Sequence, residues 1–70
     1  MEIDQLRALE DALMGAEIAV HTVSGSRYLG KLLPTADTAK AWTMVLTAGG
    51  RHIVIAYEAI EAVEFAYNPK

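Results

Sequence analysis

Val23-Ser24-Gly25-Ser26-Arg27-Tyr28-Leu29-Gly30-Lys31-Leu32 reads as the end of one strand, a tight turn, and a second strand with a glycine set inside it. A glycine within a strand marks a sharp bend or a close backbone approach, because it brings no Cβ to the contact. Gly25 and Gly30 stand five apart, and Leu32 follows two residues after the second. That spacing predicts a short hairpin that bends hard into a small barrel.

Toward the N-terminus the period is two: Ile18, Val20 and Thr22 point one way, and Glu17, Ala19 and His21 the other. Before them, residues 4–14 read as an amphipathic helix. Ile3, Leu6 and Leu9 (or Leu13) follow roughly helical spacing, and Ala8 and Ala12 fill in. Asp4 is expected as the N-cap, with Arg7 and Asp11 paired four apart on the exposed face. Gly15 ends the helix. A helix of this length is marginal alone, so it must lie against something apolar.

Toward the C-terminus, Arg27–Leu33 forms the second strand, with Tyr28, Gly30 and Leu32 on one face and Leu29 and Leu33 on the other. Apolar residues on both faces imply that the strand is covered twice or meets a neighbouring subunit. Pro34 ends it, since proline cannot donate to a ladder. Residues 34–41 lack a period and read as a loop. Trp42, Met44 and Leu46 then alternate with Thr43, Val45 and Thr47 as a third strand. Ala48-Gly49-Gly50 turns the chain into a fourth strand, Arg51–Tyr57, with Ile53, Ile55 and Tyr57 on one side. A turn at Glu58-Ala59 leads to a fifth strand holding Ile60, Val63 and Phe65. The expected fold is mainly β: an N-terminal α-helix and a five-stranded, strongly bent antiparallel small β-barrel over residues 16–66, one domain spanning 1–70. The first and last strands of such a barrel are bare edges unless they meet a partner. An apolar fourth strand and an acidic fifth are suited to pairing between copies, and head-to-tail contacts of that kind close into rings.

Composition points the same way. Of 70 residues 53% are hydrophobic, but twelve are alanines, which bury little area. A chain this short sits where burial and chain entropy nearly cancel, so a staple or a partner is needed. There is no cysteine, hence neither a disulfide nor a thiolate metal site. Two histidines thirty-one residues apart make no metal site either. Self-association is left as the expected source of stability. With no long apolar run or basic leader, the reading is a cytoplasmic protein without membrane partners.

Charge is unevenly spread over the net of −3. Glu2, Asp4, Glu10, Asp11 and Glu17 outweigh Arg7 at the start, and Glu58, Glu61 and Glu64 outweigh Lys70 at the end. Between them, Arg27, Lys31, Lys40 and Arg51 face only Asp37. A mildly basic middle is compatible with an anionic ligand or with plain solvation.

These residues resemble the Sm-like family, bacterial Hfq included, over about residues 16–66. The first Sm motif runs from alternating apolar residues through a turn glycine, four residues, a second glycine, any residue and a leucine. Ile18, Val20, Gly25, Gly30 and Leu32 stand in that register, and Trp42, Met44 and Leu46 fit its apolar end. Ile60-Glu61-Ala62-Val63 satisfies the close of the second motif, and Ala56-Tyr57-Glu58-Ala59-Ile60 is similar to a shortened form of the tyrosine-bearing segment of Hfq. The resemblance implies a homo-oligomeric ring that binds single-stranded RNA. The departures lie in the base-gripping residues. Asp37 comes about one residue late in a longer loop with no asparagine after it. Ala56-Tyr57 replaces the arginine-glycine of eukaryotic members, and Glu58-Ala59 replaces the lysine and histidine of Hfq. The expected base site is therefore non-standard or weakened.

The candidate nucleic-acid-binding residues are Arg27, Lys31, Asp37, Lys40, Arg51 and Tyr57. Tyr57 has two readings: a base stacks on it, or it extends the Ile53–Ile55 face and packs beside Trp42. The cations have two as well, phosphate contact or solvation. No cofactor is expected. His21, Ser24 and Asp37 are triad types with no reason to meet, no glycine-bracketed serine elbow or phosphate loop is present, and the Glu58, Glu61, Glu64 series reads as a charged face; the chain is not read as an enzyme. A protein-interaction or assembly scaffold without nucleic acid is the alternative function.

Overall fold

A computed structural model of the chain describes residues 2–33 and 42–66. The elements are α1 (Ile3–Leu13), β1 (Glu17–Thr22), β2 (Arg27–Leu32), β3 (Thr43–Ala48), β4 (Arg51–Ala56), a single 3₁₀ turn at Tyr57–Ala59, and β5 (Ile60–Phe65). The expected loop at 34–41 lies outside the described residues. The five strands form one antiparallel sheet in the order β4-β3-β2-β1-β5. The sheet is open: β4 and β5 are its two ends.

Gly30 sets the bend. Strand β2 pairs with β1 from Arg27 to Lys31, then with β3 at Lys31 and Leu32. The changeover brings the β3 backbone directly over Gly30, where a Cβ would lie 2.7 Å from the Thr47 carbonyl oxygen and 3.0 Å from the Leu46 Cβ. No side chain fits there. The strand can fold back on both neighbours only because position 30 is bare.

At the other tight turn, Gly49 and Gly50 sit at φ 56° and 79° and close the β3–β4 hairpin at the Ala48–Arg51 pair. Both residues lie in the left-handed region that a two-residue hairpin of this kind demands. Between β1 and β2, the buried Thr22 organises the turn. Its hydroxyl accepts from the Ser26 amide at 3.1 Å and shares a hydrogen bond with the Ser24 hydroxyl at 2.9 Å.

The core gathers Leu6 of α1 with Ile18, Val20, Leu32, Met44, Leu46, Ile55, Tyr57 and Ile60. The strand members of this cluster are residues that alternation points inward, but Tyr28 and Trp42 of the same faces are exposed, and Ala19 and Val45 of the opposite faces are buried. Ile60 and Val63 are three apart, which alternation alone would place on opposite faces. A bulge between the Thr22–Ile60 and His21–Ala62 pairs absorbs one residue at Glu61, so Ile60 and Val63 both turn inward.

Helix α1 departs from expectation at its ends and on its inner face. It starts at Ile3, one residue before Asp4, and its N-cap is Glu2, with no side-chain hydrogen bond. Asp4 lies in the first turn, where a carboxylate still faces the positive end of the helix dipole. The inner stripe buries Leu6 and Glu10, with Leu13 packed at its edge.

Candidate nucleic-acid interface

The six candidate residues do not converge. Arg27 and Lys31 lie on the outer face of β2, opposite His21 and Glu17 of β1. Arg51 begins β4 at the tip of the hairpin, opposite Ala48. Asp37 and Lys40 lie outside the described residues. Tyr57 is 4% exposed, so its ring faces the core and presents no stacking surface in the single chain.

Arg27 is also engaged. Its Nε lies 3.5 Å from Glu64 of β5, and the same carboxylate is bonded to the His21 ring. The strand register explains the meeting: His21 pairs with Arg27 across β1–β2, while its neighbour Ala19 pairs with Glu64 across β1–β5. The hydrogen bond from His21, aided by Arg27, holds the Glu64 carboxyl below its ordinary range. A phosphate at Arg27 would have to compete with this carboxylate for the guanidinium. Beside the trio, a shallow groove of about 440 Å³ runs over the outer face, lined by Ala19, Leu29, Gly30, Phe65 and their neighbours. Leu29, on the face read as covered a second time or as meeting a neighbouring subunit, is 56% exposed in the single chain.

A second grouping forms around Trp42, expected from the sequence as the apolar start of the third strand and as a packing neighbour of Tyr57. Trp42 has φ 50°, a left-handed conformation that costs a bulky residue on the order of 1–2 kcal/mol. Its carbonyl accepts from the Tyr57 amide at 2.9 Å, which ties the strained residue down. This geometry turns the indole partly out of the sheet, leaving it 49% exposed. The guanidinium carbon of Arg7 lies 4.6 Å from the ring centroid, and the Tyr57 ring meets it edge-on at 6.4 Å and 65°. A cation over an indole contributes about 0.5–1 kcal/mol at an exposed site. An exposed aromatic ring carrying a guanidinium combines the two features that bind single-stranded nucleic acid, a stacking face and a cation near the backbone.

Beneath this pair lies Glu10. It is 1% exposed, and Oε1 accepts a hydrogen bond from the Tyr57 hydroxyl. Oε2 is buried with no hydrogen-bond partner among the described residues. Burial pushes the Glu10 carboxyl above its ordinary range, against smaller opposing pulls from the Tyr57 hydrogen bond and from Arg7. Burial, together with Glu10, likewise raises Tyr57. The helical period places Glu10 on the same stripe as Leu6 and Leu13, but a carboxylate there reads as solvent-facing. Its partner stands 47 residues away, and only the packing of α1 over the 3₁₀ turn brings them together.

Among the described residues, no three His, Asp or Glu side chains gather as a metal site, and no helix is long and apolar enough to cross a membrane. Of the triad types, His21 bonds to Glu64 and Ser24 to Thr22, while Asp37 lies outside the described residues. The sequence matches no protein-family model, and a comparison with curated proteins returns no match.

Proposed function

We propose that this chain is an Sm-like small-barrel subunit that assembles with identical copies into a ring and binds single-stranded RNA at a non-standard site built on Trp42. One observation carries the reading: the sheet stops at two bare six-residue strands of opposite character. Strand β4 holds Ile53, Val54 and Ile55, with Val54 61% exposed; β5 holds Glu61 and Glu64 and ends on a half-exposed Phe65. A groove of about 270 Å³ lies along β4, lined by Ile53–Ala56 with Thr22, Ser24, Tyr28 and Ala59. Strand β5 of a second copy laid along β4 closes the barrel between subunits rather than within one. Each copy then offers β4 to one neighbour and β5 to the other, which is the head-to-tail geometry of a ring.

For the ligand, the half-exposed ring of Trp42 supports a stacking site better than the residues expected from the sequence. The test uses oligo-U and oligo-A at low salt, read by fluorescence anisotropy and by quenching of the chain's single tryptophan. Binding that quenches Trp42 and weakens as salt rises supports the reading, because phosphate contacts release counterions. No binding at low salt overturns the RNA clause. The second reading, a ring that serves as a protein scaffold, is favoured by the exposed carboxylates of Glu58, Glu61 and Glu64 and by the engagement of Arg27 with Glu64. These carboxylates make the β5 end of the sheet acidic, which repels a phosphate chain.

A further inference from the structure

We propose that α1 is a releasable cover over the Trp42–Tyr57 pair, latched by Glu10 in its protonated form. Two independent contacts place the helix there. Arg7 lies over the Trp42 ring, and Glu10 accepts the Tyr57 hydroxyl one helical turn further on. Both aromatic residues of the platform are thus held by α1, so a base stacking on the Arg7 side of Trp42 competes with the helix. The latch rests on these two contacts and on the burial of Glu10; its effect on RNA rests on the function proposed above.

The helix is lightly held. It buries two side chains, Leu6 and Glu10, and one of them is a carboxylic acid. A neutral carboxyl with one satisfied oxygen is tolerable in that position, whereas a carboxylate with a buried, unpartnered Oε2 is not. The groups facing Glu10 are Tyr57 from the 3₁₀ turn and Arg7 and Asp11 from α1 itself. Arg7 and Tyr57 favour the charged form and Asp11 opposes it, but desolvation outweighs them. The docked helix therefore holds a proton that the released helix gives up to solvent. Docking is at full strength below the ordinary glutamate value and weakens as pH rises through the higher value that Glu10 has when docked.

The experiment follows Trp42 emission and amide-exchange protection of α1 in the full chain between about pH 4 and about pH 8, a range that brackets a raised carboxyl. We expect one emission transition with its midpoint above the ordinary glutamate value. Protection of α1 falls about tenfold or more across it, while β1 and β3 keep theirs. Glu10→Gln abolishes the transition. Tyr57→Phe moves it to higher pH, because the hydroxyl that favours the carboxylate is gone. Three results overturn the latch: no transition, the same transition in Glu10→Gln, or simultaneous loss of protection in α1 and the sheet. Adding oligo-U separates the two proposals. Affinity that rises several-fold across the transition supports the cover over an RNA site. A Trp42 transition without oligo-U binding at any pH supports the latch and overturns the RNA reading.

Discussion

At position 30 a single absent carbon decides the fold. A Cβ there would press on the Thr47 carbonyl, which is backbone and cannot swing aside. Gly30→Ala should therefore cost about 1–3 kcal/mol, the usual range for overpacking, and lower the urea midpoint without changing the slope. Gly30→Val, with two further carbons on the same contact, should leave an unfolded or aggregated chain; unchanged circular dichroism would count against the bend. Glu10 and Tyr57 make a different residue-scale case. Removing one member strands the other, so Tyr57→Phe should cost about 1–3 kcal/mol. Removing both polar groups, as in Glu10→Leu with Tyr57→Phe, should be neutral or stabilising, because no orphan remains. The advantage of the double variant should grow as pH rises through the Glu10 titration, since only the parent chain then carries a buried charge. Chemical denaturation at several pH values checks both the sign and the trend.

Elements were legible where a residue's neighbours in sequence are also its constraint. Alternation in Ile18–Val20–Thr22 and Met44–Leu46, and the glycines that close turns, marked the strands because the pleat has a fixed period of two. The 60–63 spacing is accommodated by a bulge at Glu61, a feature set by pairing with β1 and therefore silent in the sequence of β5. On α1 the stripe through Leu6, position 10 and Leu13 follows the helical period, but the burial of a carboxyl at Glu10 does not, since it depends on a tyrosine in a distant turn. Trp42 kept its place beside Tyr57, but a left-handed backbone at the start of β3 made it a surface residue as well. The edge strands carry the element-scale prediction. Val54→Asp in β4 and Phe65→Glu in β5 replace apolar side chains exposed in the single chain, so each should leave circular dichroism unchanged. Each should also reduce the assembled mass, and one substitution should suffice, since every contact in a head-to-tail ring uses both strands. An assembly indifferent to both would place the interface elsewhere.

For the whole molecule, short length, alanine content and an open sheet express one deficit. Among the described residues the core cluster holds nine buried side chains, one of them from the helix, with no disulfide to supplement it. Leu29, Val54 and Phe65 remain exposed on the sheet. Such a subunit gains by sharing apolar surface with its own kind, and the sheet order leaves strands at both ends through which to do so. Light scattering of the purified chain coupled to size exclusion reads this directly. A head-to-tail ring is expected as one discrete closed species, of about five to seven copies if it follows the size range of the Sm-like family it resembles. A stable, folded particle with the mass of one chain would contradict it.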